Sequence, residues 1–243
     1  VCCSQSPPSG PIWTANIGQR MPRGSSLAAA LALGLAPKEL CIDAQVVPHP
    51  AGFSSGALGG YLQQSYGAAF GVLLGVGDGR RALELLSQWP QGVIFLVDPY
   101  IHLRRGYDRP ENVDDSSQQR NFENLRNKLH DEPTVQGRYS FVREFSFSVP
   151  PIWREKKWGQ PPLLVFHDAN PSYGAVRTDL AAWWPLLAEG GTMAGSNYTT
   201  EGDGSVVGVR QAVDEFAASM GLPVFITEDA EEKTWILQKP GGV

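Results

Sequence analysis

Apolar and polar positions along this chain fall into two alternating kinds of segment. One kind is short and almost continuously apolar: GVLLGVG at Gly71–Gly77, GVIFLVDP at Gly92–Pro99, PLLVFHD at Pro162–Asp168 and TMAGSNY at Thr192–Tyr198. Side chains alternate across a strand, so a run without polar interruption predicts a strand covered on both faces. RYSFVREF, Arg138–Phe145, reads as a further strand. The other kind predicts helices over Arg80–Trp89, about Ser116–His130, Tyr173–Leu187 and Val206–Met220, the third ended by Pro185 and the Gly190-Gly191 pair. Before the first strand, Leu58, Leu62 and Tyr66 recur at helical spacing and predict a serine-capped helix over Ser54–Tyr66. Pro151–Trp158 reads as a short helix or turn. Pro223–Gln238 holds two β-rich runs joined by an acidic turn, which predicts an antiparallel hairpin.

Strands that alternate with helices require right-handed parallel crossovers, so the expected fold is α/β: a doubly wound, seven-stranded, mainly parallel sheet closed by an antiparallel C-terminal hairpin. Ligands of such sheets lie at the carboxyl ends of the strands. That directs attention to Gly75–Gly79, Asp98, Phe145–Phe147, His167–Asn170 and Ser196–Tyr198. The first 50 residues are rich in Pro, Gly, Ser and Ala. They divide the chain into an irregular arm, 1–52, and a domain, 53–243. Within the arm, LAAALALGLA at Leu27–Ala36 reads as a short Ala/Leu helix or as a targeting remnant.

Composition narrows the partners. The 243 residues carry 20 basic and 25 acidic side chains, a formal charge of −5, which disfavours a partner held through phosphate charge. No nucleic-acid partner is expected. No apolar run reaches the 18 or so residues of a membrane span, so no membrane partner is expected either, and a cytoplasmic location is favoured. Cys2, Cys3 and Cys41 are too few for a disulfide framework or a four-cysteine zinc site.

GVGDG, Gly75–Gly79, lies between a strand and a helix, where glycines let the backbone approach a ligand and the helix start offers unpaired N–H groups. Arg80 stands where a dinucleotide fingerprint wants a small residue, which weakens a nicotinamide reading. Asp98, about 20 residues on at the end of the next strand, suits a ribose acceptor. A nucleoside ligand is the expectation.

From about Gly71 to Lys239 the chain resembles the class I S-adenosylmethionine-dependent methyltransferases, and within them the small-molecule O-methyltransferases related to the macrolide-sugar (macrocin-type) enzymes. The resemblance rests on the glycine turn, on Asp98-Pro99, on LLVFHDANPSYGAVRTDLAAWWPLLAEGG and on GVRQAVDEF, Gly208–Phe216. It implies S-adenosylmethionine as cofactor and a small hydroxylated acceptor. Gly75, Gly77 and Gly79 would pass the methionine portion, Asp98 the ribose, and Ser146 or a neighbour the adenine. Asp168 and Tyr198 would stand at the reacting end.

The chain also departs from the family. Leu73 replaces the usual acidic residue before the glycines, and Pro171 the histidine that would be the natural base. The branch's metal positions are Asp168, Ser196 and Asn197, one carboxylate and one amide, a poor set for a hard cation. No metal site is expected, and a divalent metal requirement is doubtful. These departures motivate the competing expectation of a catalytically silent, methyltransferase-like scaffold. Other residues carry open readings. His167 reads as a structural histidine between sheet and helix, or as a substitute base. Asp179 matches the helical Asp of that branch or reads as a helix-surface or capping residue, and Tyr173 and Tyr198 read as pocket lining or packing. The cluster Trp153, Arg154, Lys156, Lys157 and Trp158 suits a solvated turn or an anionic ligand. Asn197-Tyr198-Thr199 forms a glycosylation sequon, discounted because Asn197 should lie in the cleft. The arm could serve as a lid or an oligomer contact.

Overall fold

The structure, a computed structural model, describes residues 54–107, 109–156, 158–199, 204–228 and 233–241. The arm, its Leu27–Ala36 segment and the three cysteines lie outside the described residues. A 3-10 turn, Ser55–Ala57, leads into α1, Leu58–Tyr66. The elements that follow are β1 (Phe70–Leu74), α2 (Arg80–Gln88), β2 (Val93–Val97), α3 (Asp115–His130) and β3 (Tyr139–Val142). After a second 3-10 turn, Ser146–Ser148, come α4 (Val149–Lys156), β4 (Leu164–His167), α5 (Tyr173–Trp183), β5 (Thr192–Gly195), α6 (Gly204–Met220), β6 (Phe225–Ile226) and β7 (Trp235–Gln238).

The seven strands form one sheet in the order β3-β2-β1-β4-β5-β7-β6. β1 to β5 are parallel, whereas β7 runs antiparallel to β5 and to β6. The expected architecture is therefore present, including the reversed seventh strand. Strand alternation divides the core cleanly. Leu73 and Phe166 face a layer with Leu58, Leu62, Leu86, Trp89 and Leu125 from α1 to α3, while Val72, Leu74 and Val165 face Val149, Trp153, Val176, Trp183 and Val213 from α4 to α6.

Several boundaries differ from the sequence expectation for identifiable reasons. Ser54 does not cap α1. The turn ahead of the helix is closed by the Ala57 amide donating to the Ser54 carbonyl at 3.0 Å, and the cap position, Ala57, has no side-chain bond. β1 stops at Leu74, not Gly77: the Gly75 amide still donates to the Val97 carbonyl at 2.9 Å, but at φ +78° the chain turns out of the strand there. β5 stops at Gly195, and two residues on Asn197 is left-handed at φ 61°. α5 ends at Trp183 because Pro185 has no amide to continue it. The carbonyls of Trp184 and Leu187 beyond it accept from Lys239 Nζ at 3.0 and 2.6 Å. α4 begins at Val149 and holds Pro150 and Pro151 in its first turn, where a missing N–H costs nothing. The closing hairpin forms, with residues 229–232 of its acidic turn outside the described set.

Candidate active site

The carboxyl ends of β1, β2, β4 and β5 meet around the glycine turn. Gly75, Gly77 and Gly79 all have positive φ, at +78°, +53° and +78°, a region that suits glycine. Their surroundings differ, however. A Cβ on Gly75 would overlap the Asp168 carbonyl and lie 2.6 Å from Ala169 Cα, and one on Gly79 would overlap the Leu125 side chain. A Cβ on Gly77 would meet nothing within 4 Å. Gly75 and Gly79 thus let the turn pack against β4 and α3, and Gly77 alone turns an open backbone outward.

Asp98, just beyond β2, holds the turn from below. Its Oδ2 accepts the amides of Val76 at 2.9 Å and Gly77 at 3.2 Å, and its Oδ1 accepts the Tyr100 amide at 2.8 Å. Tyr100, left-handed at φ 49°, donates its hydroxyl to the Gly77 carbonyl at 2.9 Å. The sequence reading missed it. Burial, reinforced by the Asp98 charge, holds the Tyr100 hydroxyl far above the ordinary tyrosine range. Its ring packs on Phe122.

β4 and β5 contribute the opposite wall. Asp168 donates its amide to the Leu74 carbonyl at 2.7 Å, and its Oδ1 accepts a short hydrogen bond from Ser196 Oγ. Asn197 Nδ2 donates to the same Ser196 oxygen at 3.1 Å. Among the described residues, Asp168 Oδ2 carries no hydrogen bond. The three residues matching the branch's metal positions are thus brought together and bonded to one another, and no group of three His, Cys, Asp or Glu side chains converges among the described residues.

Tyr198 is buried at this end, but its hydroxyl donates to Asp214 Oδ1 on α6 at 2.6 Å, with the Arg210 guanidinium over its ring. Burial and the Asp214 bond push its pKa up to about 12. Tyr173 likewise donates to Glu215 at 2.6 Å and ties α5 to α6. From the other side, the segment after β2 reaches across the cleft mouth. Asn170 Nδ2 donates to the Gly106 carbonyl at 3.0 Å. The adjacent Tyr107 is raised chiefly by burial, with smaller contributions from Glu111, Asp98 and Asp168.

Beyond β3, Ser146 donates its hydroxyl to Asp179 Oδ1 at 2.6 Å, and its carbonyl accepts the Trp183 indole N–H at 3.0 Å. Asp179 Oδ2 lies 3.1 Å from His167 Nε2, with both side chains 3% exposed. His167 therefore sits in the layer between sheet and helix. Asp179 is buried rather than on the helix surface, and its capping reading fails with it. A signal for this was available, since Asp179 falls within the apolar stripe Val176, Leu180 and Trp183. Two residues before Ser146, Glu144 Oε1 is buried without a hydrogen-bond partner, and burial raises its carboxyl pKa. The aromatic-basic cluster separates. Trp153 is core, against Phe95, Trp158 and Trp183, while Arg154 and Lys156 face solvent. Lys157 lies outside the described residues.

This strand order and glycine turn are those of the class I methyltransferases. The family model described as a methyltransferase domain matches residues 71–198, more than half of the chain, and the protein belongs to that family. Solved structures share the fold at low identity. A calicheamicin methyltransferase aligns with a TM-score of 0.56 at 16% identity, over 87% of this chain and 84% of its own. An O-methyltransferase from Bacillus cereus, crystallised with S-adenosylhomocysteine, aligns at 0.52 and 14% identity, over 88% and 98%. The cofactor-bound Rv0187 protein from MTB aligns at 0.53 and 16% identity, over 89% and 90%. No curated protein matches the sequence. No helix among the described residues is long and apolar enough to cross a membrane.

Proposed function

We propose that this domain binds S-adenosylmethionine and methylates an oxygen of a small hydroxylated acceptor, as the macrocin-type resemblance implies. The observation that carries the reading is the Asp98 carboxylate locked into the glycine turn beside the open face of Gly77. A carboxylate offers about four lone-pair sites. Three amides occupy Asp98, which leaves about one site for a ribose hydroxyl. Gly77 has room where a backbone must pass a ligand. The buried, unpartnered Glu144 Oε1 at the end of β3 suits an exocyclic amine such as that of adenine. The residues present therefore fit the cofactor.

When bound, the cofactor supplies an electrophilic methyl group on a sulfonium. Among the chain's own residues, Asp168 would stand beside that group, its Oδ1 held by Ser196 and its Oδ2 open to take the proton of an acceptor hydroxyl. Tyr198, with its hydroxyl committed to Asp214, would shape the acceptor pocket and not act as a base. The 53–243 stretch would be the catalytic domain and the 1–52 arm an appendage, whether lid or homo-oligomer contact.

One observation favours a second reading, a silent methyltransferase-like scaffold: Pro171 occupies the family's histidine position and Tyr198 is engaged elsewhere. The nicotinamide alternative has no such support, since the reversed β7 and the family membership both point away from it. Calorimetric titration with S-adenosylmethionine, S-adenosylhomocysteine and NAD tests the proposal. Heat with the sulfur nucleosides and none with NAD is expected, and silence with both sulfur nucleosides overturns it. Methyl transfer to a panel of hydroxylated small molecules then separates enzyme from scaffold.

A further inference from the structure

We infer that Asp179 on α5 is a positioning residue for the cofactor site, holding the post-β3 turn through Ser146 and the end of β4 through His167. The inference rests on the cofactor reading above. A helix buried on one face should present apolar side chains there, and α5 does so at Val176, Leu180 and Trp183. Asp179 interrupts that stripe at 2% exposure. A buried carboxylate costs free energy unless its oxygens are hydrogen-bonded. Both are bonded here, and each bond reaches a different segment that ends at the cleft: Oδ1 accepts from Ser146 Oγ at 2.6 Å and Oδ2 lies 3.1 Å from His167 Nε2.

The grip on Ser146 is double. One helical turn beyond Asp179, the Trp183 indole donates to the Ser146 carbonyl at 3.0 Å, so α5 fixes both the side chain and the backbone of that residue. The turn so held is a single 3-10 turn, Ser146–Ser148, with no side-chain cap of its own. It carries Phe147, 49% exposed, and follows Glu144, whose buried Oε1 has no hydrogen-bond partner. At the other oxygen, His167 immediately precedes Asp168, whose Oδ1 accepts from Ser196 Oγ. One carboxylate under the sheet therefore sets the spacing between the adenine-side turn and the methyl-side carboxylate, and touches neither ligand end itself.

The test is titration of S-adenosylhomocysteine into the wild type, Ser146→Ala, Asp179→Ala, Asp179→Asn and the Ser146→Ala/Asp179→Ala double variant. The fitted stoichiometry reports the folded fraction. Ser146→Ala, which removes one hydrogen bond to a charged group, is expected to raise Kd about tenfold, and Asp179→Ala, which removes that bond and the His167 contact, by about tenfold or more. The double variant should do no worse than Asp179→Ala, because both remove the same link. Asp179→Asn keeps the shape and can both accept and donate, so it should recover most of the affinity. Thr178→Ala, beside Asp179 on the exposed face of α5, should leave Kd unchanged. Wild-type binding with unaltered Kd in Ser146→Ala and Asp179→Ala, or fully additive losses in the double variant, overturns the inference alone. If Asp179→Ala does not fold, an unaltered Kd in Ser146→Ala decides against it. No wild-type heat overturns the cofactor reading and this inference with it.

Discussion

Tyr100 donates its hydroxyl to the carbonyl of Gly77 at 2.9 Å, across a separation of 23 residues in sequence. The bond spans the gap between the end of β2 and the glycine turn after β1. It works with Asp98, whose Oδ2 accepts the Gly77 amide at 3.2 Å. The amide and the carbonyl of Gly77 are thus both held by residues that follow β2, while a Cβ on Gly77 would meet nothing within 4 Å. Tyr100→Phe is expected to lower unfolding free energy by about 1 kcal/mol and to weaken S-adenosylhomocysteine binding, measured by urea denaturation and calorimetry.

Gly77 and Gly79 should separate by phenotype. Gly79→Ala would drive a methyl into Leu125 as well as strain a left-handed backbone, so a loss of about 2 kcal/mol or more in stability is expected. Gly77→Ala meets no protein atom. It should lose only about 1 kcal/mol to backbone strain, yet cost more in nucleoside affinity than in stability. Equal effects of Gly77→Ala on both would argue against the turn as the ligand's cradle.

Asp98→Ala removes the acceptor of three backbone amides at once. S-adenosylhomocysteine affinity should fall about 10- to 100-fold, the range of one hydrogen bond to a charged group. Unchanged affinity would refute the ribose assignment.

Alkaline stability follows from the buried phenols. Burial pushes Tyr66 and Tyr198 up to about 12, while an unfolded tyrosine ionises near 10. The unfolded state therefore releases these protons first. The contribution is fully present below about pH 10 and is lost as pH rises toward about 12. Unfolding free energy measured across that window should decline, and Tyr198→Phe should make the decline shallower. A flat profile would contradict the burial of these hydroxyls.

Metal independence is expected of any activity found. Asp168 supplies one carboxylate, already bonded to Ser196, and Asn197 only an amide, where magnesium or calcium prefers several charged oxygens. Turnover that survives EDTA agrees with this; strict dependence on added magnesium would show that further ligands assemble.

The sequence by itself determined the order of elements, the doubly wound sheet and the place of the cleft. These depend on short-range periodicity and on chirality rules that apply to any chain of this pattern. Gly75, Asp98 and Asp168 were legible as the positions that directly follow β1, β2 and β4, because each closes an apolar run. Tertiary structure alone decided which partner each polar side chain meets. That Gly79 serves packing against Leu125, that Tyr198 spends its hydroxyl on Asp214, and that Asp179 joins Ser146 to His167 are contacts between residues 12 to 46 positions apart. No local pattern encodes such pairings. They arise when helices dock on the sheet and each buried polar group must find a partner within hydrogen-bond reach.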